Sequence, residues 1–80
     1  MAKYVSSRNP VSVRYLKRKP IGNVVRLHNY EDTKFVRVEG GWRRERTDFN
    51  GLRPTVVSSA AVAAECNHAF GSAESWAKVY

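Results

Sequence analysis

Two glycines, Gly40 and Gly41, stand between two segments that read as strands, Phe35-Val36-Arg37-Val38 and Trp42 to Phe49. No other feature restricts the chain as much. Both central positions of a two-residue type I′ loop need positive φ, which glycine accepts without steric cost, so a hairpin is predicted here. A loop at Gly40-Gly41 sets Arg37 opposite Arg44, Glu39 opposite Trp42, Phe35 opposite Arg46, Val38 opposite Arg43 and Val36 opposite Glu45. Arg37, Trp42, Arg44 and Arg46 then share one face. Asn50-Gly51 is a second turn dipeptide, and Pro54 ends the extended region.

Two further strands are predicted upstream. Val11, Val13 and Tyr15 alternate with Ser12 and Arg14, the two-residue period of a half-buried strand. Lys19-Pro20-Ile21-Gly22 supplies a turn, and Val24 to Leu27 reads as the returning strand. Asn29 to Thr33 is polar and turn-prone, and residues 1–10, ending in Asn9-Pro10, read as a flexible lead-in.

From Thr55 the texture changes. Residues 55–64 carry no charge, and Ala60, Ala61, Ala63 and Ala64 favour a helix with Thr55, Ser58 or Ser59 as its N-cap. Gly71 stands where a helix-ending glycine belongs, and Ser72 with Glu74 fits the cap of a short second helix carrying Trp76 and Val79. The expectation is an α+β domain of order ββββα over residues 1–80. A lead-in (1–10) and a basic antiparallel four-stranded sheet (11–53) precede a helical segment (55–80), which holds one Ala-rich helix and a short C-terminal helical turn. A small barrel with the helix as plug is the second architecture considered.

Charge divides the chain in the same way. Thirteen of fourteen Lys and Arg, and five of seven acids, fall in residues 1–53, a net of +8 there and −1 beyond. Such an excess favours polyanionic partners, although it also serves solubility alone. At 80 residues and 42% apolar content the chain is globular but small-cored, buries somewhat over about 60% of its unfolded surface, and invites stabilisation by a second copy. With no apolar N-terminal run and no span near the ~20 residues of a membrane helix, a cytoplasmic protein off the membrane is expected.

Two basic clusters are the candidate sites. Arg37, Trp42, Arg43, Arg44 and Arg46 suit nucleic acid, DNA or RNA: guanidinium forks for phosphate, an indole for base stacking. Whether Trp42 is exposed or in the core is open, and Glu39, Glu45 and Asp48 dilute the cluster. Arg14, Lys17, Arg18 and Lys19 form a second basic run at the first hairpin's tip, where a solvated turn explains them equally well. An acidic protein surface met by an inhibitor or adaptor is the alternative partner, since Trp, Tyr and Arg also dominate protein interfaces. Short, basic and motif-free, the chain has the character of phage-encoded accessory proteins.

The uncharged helix suggests a homodimer through Ala60, Ala61, Ala64 and Phe70, although a plain core helix is the simpler reading. No enzyme, metal site or cofactor is expected. Cys66 and His68, two residues apart on a helix, point about 200° apart and cannot share an ion or act as a nucleophile–base pair. Cys66 reads as a small core residue.

Overall fold

A computed structural model describes residues 3–5, 9–28, 32–46, 54–68 and 76–80. In chain order these form β1 (Lys3–Val5), α1 (Val13–Lys17), β2 (Val24–His28), β3 (Asp32–Val38), β4 (Gly41–Arg46), β5 (Thr55–Val57), α2 (Ser59–His68) and β6 (Trp76–Val79). The strands make one antiparallel sheet in the order β1-β6-β2-β3-β4-β5. The class is α+β, as expected, but the described residues give six strands and two helices.

The hairpin of β3 and β4 is present with a different loop. Val38 pairs with Gly41, so Glu39-Gly40 forms the turn, and Arg37 faces Trp42, Phe35 faces Arg44, Val36 faces Arg43 and Thr33 faces Arg46. Positive φ occurs at Gly40 (82°) and not at Glu39, the requirement of a type II turn at its second central residue. Gly41 serves another purpose. A Cβ built there would sit 2.5 Å from the Val57 carbonyl oxygen on the backbone of β5, so β4 and β5 approach only because residue 41 lacks a side chain. The register is displaced by two residues, so Arg37, Trp42 and Arg44 still share one face of the hairpin. Asn50-Gly51 lies outside the described residues.

Residues 11–15 are not a strand. Ser12 accepts a hydrogen bond from the Tyr15 amide (3.1 Å) and caps α1, which buries Leu16 with Val11 and half-buries Tyr15. The two-residue alternation of Val11, Val13 and Tyr15 loses to burial of Leu16, which only a helix delivers to the same side. The turn expected at Lys19–Gly22 forms one residue later, at Pro20–Asn23, and joins α1 to β2: the Asn23 amide donates to Pro20 O at 3.1 Å, and Gly22 has φ 92°. Asn29 to Glu31 lie outside the described residues, whereas Asp32 and Thr33 belong to β3.

The termini depart furthest from expectation. Lys3–Val5, placed in the lead-in, is an edge strand on β6. Trp76–Val79, expected in a helical turn, is a central strand between β1 and β2. Gly71, Ser72, Glu74 and Phe70 lie outside the described residues.

Helix α2 is capped by Ser58, whose hydroxyl accepts from the Ala61 amide at 3.1 Å. Ser59, Val62, Ala63 and Cys66 recur at helical spacing and form its buried side. They meet Val5, Val25, Leu27, Phe35, Trp42, Ala77 and Val79 from alternate positions of the strands, with Val11 and Leu16 completing the core. Asn67 joins the helices: its side-chain oxygen accepts from the Val11 amide (3.0 Å) and its Nδ2 donates to the Val11 carbonyl (2.8 Å). Both helices therefore lie on one face of the sheet. Among the described residues no element covers the other face, called the open face below.

Candidate functional site

The expected cluster divides between the two faces. Trp42 is fully buried and donates its indole N–H to Ser59 Oγ at 3.1 Å, so the ring belongs to the core and is closed to a base. Arg37 lies 5.7 Å over that ring, and its Nη1 donates to the carbonyls of Val38 (2.9 Å) and Gly41 (2.7 Å), while Nε reaches Lys19 O at 3.4 Å. It staples the hairpin turn to the loop after α1. Arg44 pairs with Glu65 of α2 at 2.8 Å. Arg37 and Arg44 are thus held by carbonyls and a carboxylate of their own fold. Of the cluster's described side chains, Arg43 alone points to the open face, where its Nε lies 3.2 Å from Glu45 Oε1; of Arg46 only the backbone is described.

The second basic run belongs to α1 and the loop after it. Arg14, Lys17 and Arg18 are exposed in the helical layer, and Lys19 sets its ammonium 4.7 Å over the Tyr15 ring. They do not share the open face. On α2, Ala60 and Ala64 are exposed and Ala61 is half-buried. The sheet supplies the apolar partner for the opposite side of the helix.

Among the described residues no group of three or more His, Cys, Asp or Glu is placed to hold a metal ion. Cys66 is buried, and its thiol is pushed up to about 12 by desolvation, with the neighbouring Glu65 carboxylate adding to the effect. His68 is exposed at the end of α2, and His28 lies exposed on the open face. No described helix is long and apolar enough to cross a membrane.

The open face carries the densest chemistry. Tyr4, Lys78, Arg26, Lys34 and Glu45 stand opposite one another in a row across β1, β6, β2, β3 and β4. Beside it, Val24, Val36, Arg43 and Val56 form a parallel row, which the Tyr80 amide extends by donating to Val24 O at 3.0 Å. Like charges directly opposite on a sheet repel, and here Arg26 faces Lys78 on one side and Lys34 on the other. Glu45 is the one carboxylate among the described side chains of this face.

Aromatic rings interleave with these cations. Tyr4 is 61% exposed, Tyr80 49% and Trp76 38%. Trp76 stacks on His28 with ring centres 5.6 Å apart and planes inclined by 18°. The Lys78 ammonium lies 5.0 Å from the Tyr4 ring centre and 4.7 Å from that of Tyr80. A short, solvated cation–π contact of this kind is worth about 0.5–1 kcal/mol, weak enough for a ligand to displace.

Sequence reasoning missed Tyr4, His28, Trp76, Lys78 and Tyr80 as a set because it assigned their segments to separate structures. The signal was present. Trp76, Lys78 and Tyr80 alternate with Ala77 and Val79 in a clean two-residue period. Compared with protein-family models, curated proteins and solved structures, the chain matches none.

Proposed function

We propose that the protein binds single-stranded nucleic acid across the open face of its sheet. Bases stack on Tyr4, Tyr80 and the Trp76–His28 pair, and phosphates settle along Lys78, Arg26, Lys34 and Arg43. The observation that carries this reading is the cross-strand row, in which three cations face one another between Tyr4 at one end and Glu45 at the other. Phosphate relieves the repulsion within the row, and ring faces suit every base, so binding tolerates different sequences. A flat sheet face of this width accommodates about two or three stacked bases. Duplex DNA hides its bases and offers the rings nothing to stack on.

In the free protein Lys78 covers the faces of Tyr4 and Tyr80. An arriving base takes a ring face, and the displaced ammonium turns to the adjoining phosphate. Stacking and ion pairing are thereby coupled through one side chain.

Fluorescence anisotropy with a labelled 12-nucleotide single strand and the matching duplex, at low and moderate salt, tests the proposal. The single strand should bind more tightly, and binding should weaken as salt rises. Undetectable binding at low salt, a preference for duplex, or indifference to salt would each sink it.

A further inference from the structure

We infer that the groove between Tyr80 and the Gly22–Asn23 turn is a subsite for one nucleotide of the bound strand. The inference rests on the single-strand reading and adds where a nucleotide is anchored and by which groups. The groove is open, about 460 Å³ in volume, and lined by Gly22, Asn23, Val24, Arg26, Lys34 and Tyr80. Small-molecule sites fall in the range of roughly 300–1,000 Å³, so one base with its sugar and phosphate fits.

Its lining separates along the chemistry of a nucleotide. Tyr80 and Val24 provide a ring and an apolar patch for the two surfaces of a base. Arg26 and Lys34, directly paired across β2 and β3, place two cations together where one phosphate meets both. At Gly22 no atom lies within 4 Å of where a Cβ would stand, so that side of the groove is unobstructed. Asn23 Nδ2 is enclosed, with no hydrogen-bond partner. Leaving a buried amide donor unpaired is unfavourable; Nδ2 is closed to solvent in the free protein, so the Asn23 side chain has to turn toward the groove to meet an acceptor on a base edge or a sugar.

Amide and side-chain chemical shifts of the full chain separate this subsite from the platform as a whole. The probes are an eight-nucleotide thymidine strand, thymidine 5′-monophosphate, thymidine and inorganic phosphate. The strand should perturb the open face together with Gly22, Asn23 and Val24. The monophosphate should perturb the groove residues alone, binding at least several-fold more tightly than thymidine or phosphate. Tyr80→Ala should remove the monophosphate response and weaken the strand several-fold; Lys34→Gln, at a half-buried strand position on the open face, should do likewise if the first variant fails to fold. If the strand binds but leaves Gly22, Asn23 and Val24 unmoved, the subsite is wrong and the platform stands. If the monophosphate fills the groove while no strand binds, or if neither binds, the anchoring role is overturned with the platform.

Discussion

Trp42 and Ser59 meet at 3.1 Å across the boundary between sheet and helix, the indole N–H donating to a hydroxyl that is itself buried. This contact fixes which face of the β3–β4 hairpin turns inward. Trp42→Ala should cost about 3–5 kcal/mol through lost burial and the cavity left behind. Ser59→Ala should cost about 1–3 kcal/mol, since it strands a buried donor. Chemical denaturation measures both. Single-strand affinity of the folded Ser59→Ala protein should match the parent, because the residue lies on the other side of the sheet. A Trp42→Ala protein of unchanged stability would falsify the core assignment.

The two adjacent glycines answer to different constraints, and substitution separates them. Gly40→Ala meets open space and is penalised only by its φ of 82°, about 1–2 kcal/mol for a left-handed L-residue. Gly41→Ala drives a methyl against the Val57 carbonyl and should cost about 1–3 kcal/mol through forced movement of β5. Loss of amide protection at Val56 and Val57 in Gly41→Ala, with β5 protected in Gly40→Ala, is the expected hydrogen-exchange pattern. Equal patterns would mean that the strand approach does not depend on residue 41.

Cys66 should be chemically silent in the native state. Burial, helped by Glu65, raises its thiol from 9.0 to about 12, so the folded protein keeps the proton over a range where the unfolded chain releases it. The stability tied to this group is complete below about pH 9 and declines as pH rises towards about 12. Thiol-specific labelling at pH 8 should be slow without denaturant and fast with it. Rapid native labelling would contradict the burial of Cys66.

Legibility in the sequence followed the range of the interactions. The existence of the β3–β4 hairpin, though not its loop, the turn near Gly22, and Ser58 as one of three candidate caps depend on nearby residues and are readable. So is the sharing of one face by Arg37, Trp42 and Arg44, because strand parity survives a register shift of two. Whether that face looks inward depends on where α2 lands, through partners such as Ser59 and Glu65 far along the chain. Arginine on an inward face runs against expectation; here Arg37 is satisfied by the carbonyls of its own turn and Arg44 by Glu65. The open-face site needs β1 and β6, whose four or fewer residues become strands only by pairing with each other and with β2. The cap pattern of Ser72 with Glu74 favours a helix carrying Trp76 and Val79 instead.

Salt and ring substitutions together decide how the open face works. Four cations, Lys78, Arg26, Lys34 and Arg43, each displacing about 0.7 counterion from a single strand, give a slope of log K against log salt near −3. Lys34→Gln should flatten the slope by about 0.7, whereas Lys17→Gln, on α1 in the helical layer, should leave it unchanged. Tyr4→Ala and Trp76→Ala should keep the slope but lower affinity roughly ten-fold each, within the range of about 1–3 kcal/mol per stacked base. Both rings are exposed, so thermal stability should move little. Lys78→Gln should act in both ways, since this ammonium releases the tyrosine rings as it takes the phosphate. If ring substitutions alter the slope and not the intercept, the rings merely position the cations, and stacking is not the source of affinity.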